Sequence, residues 1–193
     1  MTKQNIFDIS IWRTNIKNKV NLKELEEYGL FISENSKSVN QTNIGGFQSD
    51  NLKNTYVLDK LTDTIRDESK KYSKKLNINV VNDLKNIWIN INEKGHSNSE
   101  HIHPNCVLSG VFYAHTLFDE FLGNLFLIHP SHDIMGQNWN GIQKGFTQSN
   151  SMTWSFKPLP GDLILFPSWL RHGVQPNLSN EKRISYSFNL GYI

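Results

Sequence analysis

The chain has 193 residues, 37% of them hydrophobic and 11% aromatic, which suffices for one buried core and is short for two domains. Its 20 basic and 18 acidic residues leave a net charge of +2 mixed along the sequence, so neither nucleic acid nor an anionic membrane surface is indicated as a partner. The lone Cys106 excludes an internal disulfide, and no apolar run approaches the roughly 18 to 20 residues that cross a bilayer. The start, MTKQNIFDIS, lacks the apolar stretch of a secretory signal, and the expectation is a soluble, cytoplasmic protein.

In chain order, Asn21 and Glu24 form an N-x-x-E start, and Gly29 follows Tyr28, which predicts a short capped helix over Asn21 to Tyr28. The next segment, SVNQTNIGGFQSDN, is turn-rich, with Phe47 and Leu52 placed to dip into a core. From about Leu58 to Leu76, the residues Leu58, Leu61, Ile65, Tyr72 and Leu76 fall near one helical face, which should pack on a sheet. From Leu84 the period changes to two, with Ile87, Ile89 and Ile91 alternating against Trp88, Asn90 and Asn92. Further strands are predicted over Val107 to Leu117, Asn124 to Ile128, Met152 to Phe156, Leu163 to Phe166 and Arg183 to Leu190. The chain therefore reads as a single domain, mainly β with flanking helices. Residues 1–82 serve as a helical N-terminal support and 83–193 as a β-roll core. Exposed edges of such a roll leave a homodimer open.

The last strand is the most informative. Ile184, Tyr186, Phe188 and Leu190 form an apolar face, whereas Arg183, Ser185, Ser187 and Asn189 form a polar one. A polar face turned into a β-roll signals a ligand cavity, because a plain barrel interior is filled with aliphatic side chains. His101 and His103 would leave one face of a strand together, and His172 comes far downstream in SWLRHGV. Three imidazoles suit a transition metal without selecting one, and three protein ligands leave positions open for chemistry. His103 is either a direct ligand or sits behind the ligands, with water or Asn105 completing the coordination. Glu100 falls on the opposite strand face. His96, His115, His129 and His132 lack this context and read as structural or surface residues. Arg183 and Ser185 could bind a carboxylate by a guanidinium fork and a hydroxyl. The plainer alternative for Arg183 is a surface ion pair with Glu181.

The segments WININEKGHSNSEHIHPNCVLSGVFYAH, PGDLILFPSWLRHGV and RISYSFNLG, with the earlier SVNQTNIGGFQSDNL, resemble the Fe(II) and 2-oxoglutarate-dependent oxygenase superfamily. The similarity is to a branch found in bacteria and phages. It implies a double-stranded β-helix, the cupin-like jelly roll. It also implies a dioxygenase that hydroxylates an unidentified substrate with molecular oxygen, forming succinate and carbon dioxide. By this resemblance His101 and His172 fall on iron-ligand positions, and His103 stands where the superfamily often has Asp or Glu. Arg183 and Ser185 match the Arg-x-Ser that holds the far carboxylate of 2-oxoglutarate. Tyr113 and Asn90 are further candidates for contact with this cosubstrate, by strand parity. Trp88 and Trp169 read as packing residues. The long, glycine-rich stretch from Pro130 to Ser151 is a candidate lid. Two other readings stay open: a three-His cupin-type oxygenase that does not use 2-oxoglutarate, and a non-catalytic β-roll that binds a small molecule or a protein.

Overall fold

Strand alternation at the C-terminus sets the architecture. In the computed structural model, which describes residues 2, 6–139 and 141–191, β11 (Arg183–Leu190) is flanked by β4 (Leu84–Asn92) and β6 (Leu108–His115). All three run antiparallel, with Tyr186 opposite both Ile89 and Phe112. The apolar set Ile184, Tyr186, Phe188 and Leu190 is buried in one core with Ile87, Ile89 and Ile91. Helix α1 (Leu22–Asn35) and helix α2 (Tyr56–Leu76) cover that side, contributing Leu25, Leu58, Leu61, Ile65 and Tyr72. The opposite, polar face of β11 is thereby turned away from the helices.

β9 (Asp162–Pro167), β1 (Trp12–Asn15) and β3 (Phe47–Gln48) complete a six-stranded sheet in the order β1-β9-β6-β11-β4-β3. A second sheet has the order β2-β5-β10-β7-β8. Its strands are β2 (Asn43–Ile44), β5 (Ser97–His101), β10 (His172–Val174), β7 (Leu125–Ile128) and β8 (Thr153–Phe156). The two inner faces meet in a smaller core made of Val111, Tyr113, Ile164 and Phe166 from one sheet and Leu125 and Leu127 from the other. The fold is mainly β with flanking helices, the jelly-roll arrangement of the structural relatives described below. No helix among the described residues is long and apolar enough to cross a membrane.

Three details depart from the sequence reading. Helix α1 starts as expected, with the Asn21 side chain accepting the Glu24 N–H at 3.3 Å, but it runs through Gly29 to Asn35. Gly29 is a site of close approach rather than a terminator, since a Cβ there would lie 3.1 Å from Ile184 Cγ2. The N-terminal 82 residues are not solely helical, because β1, β2 and β3 extend both sheets. Within that part the chain steps from one sheet to the other at Gly45 and Gly46, where φ is +66° and +70°. Helix α3 (His132–Trp139) occupies part of the predicted loop from Pro130 to Ser151.

The N-terminal segment is tied to α2 by a buried carboxylate. Glu68 accepts hydrogen bonds from Trp12 Nε1 at 3.1 Å, Lys19 Nζ at 3.0 Å and Lys71 Nζ at 2.7 Å. Burial alone would raise its pKa, but these three donors outweigh it and hold the carboxyl below its ordinary value of 4.5. A depressed folded pKa adds stability above the unfolded value, and that stability is lost as pH falls through the folded pKa. Glu68→Gln should therefore cost about 1–2 kcal/mol at pH 7, less than a fully buried pair because both lysines are half exposed. Urea unfolding should show the difference shrinking towards zero on acidification; a constant difference would argue that the charge is not what matters.

Candidate metal and carboxylate site

Two of the three histidines of interest are brought together by strand pairing. β10 lies between β5 and β7, and His172 stands directly opposite His101. Their ring centroids are 4.3 Å apart. β5 ends at His101, so His103 does not reach the site by continuing the strand. It arrives from the segment beyond, held by its backbone N–H donating to the Ser168 carbonyl at 3.0 Å. Its ring centroid lies 4.8 Å from that of His101 and 5.1 Å from that of His172. A nitrogen from each of the three rings lies within 4.8 Å of the others, the single such cluster of metal-ligating groups among the described residues. Glu100 is exposed and takes no part.

The donor chemistry fits a transition metal. His101 Nδ1 is 2.8 Å from the Ser99 carbonyl and His172 Nδ1 is 2.8 Å from the Leu170 carbonyl. Each carbonyl fixes the tautomer with the proton on Nδ1, leaving the Nε2 lone pair free for an ion. Burial, with His101 and His103 nearby, pushes the His172 pKa down to about 3, against a weaker upward pull from its bond to Leu170. Burial and then His101 push His103 down to about 4, and burial lowers His101. All three are neutral at pH 7 and available as ligands. Phe166 packs on the His172 ring at 4.6 Å and Trp88 on the His103 ring at 5.7 Å, which makes the surroundings apolar.

Arg183, Ser185 and Ser187 from the polar face of β11 line one cavity together with all three histidines. Arg183 is only 1% exposed, which excludes the surface pair with Glu181. Its Nη1 donates to the Leu122 and Gly123 carbonyls, both at 2.9 Å, whereas its Nε is buried without a partner. Gly123 has φ +89°, and a Cβ there would meet the Gln175 carbonyl at 2.2 Å and Arg183 Nη1 at 2.7 Å. Only glycine lets this backbone curl against the guanidinium.

Ser185 pairs across the sheet with Tyr113 on one side and Asn90 on the other, and all three border the cavity. Burial, partly offset by the Arg183 charge, pushes the Tyr113 phenol up to about 12, so it stays protonated and can donate. Asn90 Nδ2 donates to Ser187 Oγ at 3.0 Å, leaving its buried Oδ1 without a partner. Turning the amide over would let Ser187 donate to the oxygen and free the NH₂ for an anion.

The sequence reading missed Thr42 and Asn98, which also line the cavity and touch through an Asn98 Nδ2 to Thr42 Oγ1 bond of 3.5 Å. Asn98 lies on β5 at the opposite strand parity to His101, so alternation alone did not mark it. Trp88 forms part of the cavity wall, and Trp169 is 57% exposed, so neither is a simple packing residue. His96 lies under the Gly45 turn and His115 beside Glu26, apart from the three-histidine cluster.

Residues 86–189 match the family described as "Putative 2OG-Fe(II) oxygenase". The chain belongs to this family of 2-oxoglutarate- and iron-dependent oxygenases. It is accordingly an oxygenase that uses Fe(II), 2-oxoglutarate and molecular oxygen on a primary substrate. No match is found among curated proteins. Among solved structures, a prolyl-4-hydroxylase from Pseudomonas putida superposes with a TM-score of 0.67 at 11% identity, covering 96% of this chain and 94% of that one. A prolyl hydroxylase from Trichoplax adhaerens, in complex with a hypoxia inducible factor peptide fragment, gives 0.67 at 14% identity, with 94% and 83% covered. HygX from Streptomyces hygroscopicus, with nickel and 2-oxoglutarate bound, gives 0.62 at 13% identity, with 95% and 83% covered. At these identities the likeness establishes a shared fold.

Proposed function

We propose that this oxygenase holds Fe(II) through His101, His103 and His172 and grips the far carboxylate of 2-oxoglutarate with Arg183 and Ser185. The observation that carries the assignment is the buried Arg183, a cation whose hydrogen bonds among the described residues go to carbonyls and whose Nε is left over, in the same cavity as three neutral imidazoles. An unneutralised buried cation is costly, and a dicarboxylate entering the cavity offsets that cost with charge-assisted bonds. Tyr113 donates a phenolic hydrogen bond to the same ligand, and Asn90 does so in its turned-over form.

When bound, the iron with 2-oxoglutarate supplies the oxidant that places an oxygen atom on a C–H bond, as the cosubstrate becomes succinate and carbon dioxide. The protein's own part is positional. Ser99 and Leu170 orient two imidazoles, the carbonyls of Leu122 and Gly123 orient the guanidinium, and Phe166, Val111 and Leu125 give the cavity an apolar side. A three-histidine set lacks the negative charge of a carboxylate ligand, and the anionic cosubstrate supplies it. No general acid or base is assigned. The segment from Pro130 to Ser151, with Trp139 at the end of α3, is assigned as the element that meets the primary substrate. The lone Cys106 supports a cytoplasmic setting, and the edge strands of both sheets offer surfaces for a homodimer.

Adding 2-oxoglutarate to the Fe(II)-loaded protein without oxygen should raise a visible charge-transfer band, and admitting oxygen should yield succinate. Iron binding without either response would overturn the cosubstrate assignment in favour of Arg183 binding a carboxylate of the primary substrate.

A further inference from the structure

One short turn touches two of the three imidazole-bearing segments. It spans residues 167–170 between β9 and β10, closed by the Leu170 N–H donating to the Pro167 carbonyl at 2.9 Å. The Ser168 carbonyl accepts the His103 N–H at 3.0 Å, and the Leu170 carbonyl lies 2.8 Å from His172 Nδ1. The spacing between His103 and His172 therefore depends on where this turn sits.

The turn is anchored from beneath by buried polar groups. Ser168 is 0% exposed, and its N–H donates to the Val107 carbonyl at 3.1 Å. Its Oγ lies 2.8 Å from Ser109 Oγ on β6, and Ser109 Oγ in turn donates to Asn189 Oδ1 on β11 at 2.7 Å. Since the Ser109 hydrogen is directed at Asn189, the Ser168 hydroxyl is the donor to Ser109. The chain of hydrogen bonds runs one way, and both hydroxyl hydrogens are used. Small apolar residues would fill these positions without desolvating two hydroxyls and an amide. What they would not do is fix the turn in one position on the sheet.

We infer that Ser168, anchored through Ser109 to Asn189, is a positioning residue for the metal centre: it sets the relative placement of His103 and His172. The inference rests on the assignment of those histidines as ligands. Outer partners of this kind typically alter metal affinity by about 10- to 100-fold.

The test is titration of the full chain with Co(II), followed by its visible absorption, for the unaltered protein, Ser168→Ala, Ser168→Thr and Ser109→Ala, with metal-free thermal melts alongside. Ser168→Ala should bind Co(II) about tenfold more weakly and shift the ligand-field bands, because the turn loses its hydroxyl anchor although its backbone bonds to Val107 and His103 remain. Ser168→Thr, which keeps the hydroxyl, should restore both properties. A purely structural role would lower the melting temperature and leave affinity and spectrum of the folded variant unchanged, and that result overturns the inference. Should Ser168→Ala fail to fold, Ser109→Ala decides on the same readouts. Absence of Co(II) binding by the unaltered protein would instead defeat the three-histidine assignment, and this inference with it.

Discussion

Arg183→Met should abolish the response to 2-oxoglutarate while changing the stability of the ligand-free protein little. The two halves of this expectation come from the same imbalance. Arg183 is fully buried, and desolvation pulls its pKa down, with Tyr113 giving only a partial counterweight. In the absence of an anion the guanidinium carries a desolvation cost that a long apolar side chain removes, and this gain offsets the loss of the donor to the Leu122 and Gly123 carbonyls. With 2-oxoglutarate present the balance shifts in favour of arginine. Truncating one partner of a buried, hydrogen-bonded charge pair costs about 2–5 kcal/mol, or roughly 30-fold to several-thousand-fold in affinity. At a ligand concentration near 100 times its Kd, the unaltered protein gains about 2.7 kcal/mol of stability by linkage, and the variant gains almost none. Thermal unfolding of the metal-loaded protein, with and without 2-oxoglutarate, separates these effects. Arg183→Lys should fall between, because an ammonium keeps the charge but cannot bond two carbonyls and also present a planar fork. An equal ligand-induced shift in Arg183→Met and the unaltered protein would remove Arg183 from the carboxylate site.

Period-two patterning made the core of this fold legible. The alternation in Arg183–Leu190 and Leu84–Asn92 fixes which side chains face the helices and which face the cavity, and Asn90, Ser185 and Arg183 followed from it. The short edge strands were not legible, because two residues such as Asn43–Ile44 carry no period; they exist only where a neighbouring strand accepts them. Gly29 misled for a physical reason. A helix-ending glycine and a glycine that allows helix–sheet contact look the same until Ile184 is seen beside it. His103 is the most instructive residue. Strand parity predicted its convergence with His101, yet the strand stops at His101, and it is the bond from His103 N–H to Ser168 that brings the ring round. That contact spans a sequence separation no local pattern can encode. Gly123 and Ser168 were missed for the same reason, since each works through a residue distant in the chain.

His172→Ala and His103→Ala should differ in severity, and the difference tests how the three histidines proposed as ligands would share the metal. His172 is 5% exposed, its Nδ1 is fixed by Leu170, and its ring is pressed between His101 and Phe166. Such a ring loses little freedom when it binds an ion, so its removal should weaken Fe(II) or Co(II) binding by more than roughly 100-fold, beyond the effect of losing an outer partner alone. His103 is less constrained. Among the described residues neither of its ring nitrogens has a hydrogen-bond partner, and its ring is steadied mainly by contacts with Trp88 and the other two imidazoles. It must be ordered on binding, so His103→Ala should cost less, about tenfold. His103→Asp should keep the metal but add a negative charge to the site, which weakens the attraction for the incoming dicarboxylate and raises KM for 2-oxoglutarate. Metal titration and cosubstrate titration of the same three variants provide both readouts. Unchanged metal affinity in His103→Ala would return His103 to a place behind the ligands, whereas losses equal to those of His172→Ala would make it a full and rigidly held member of the trio.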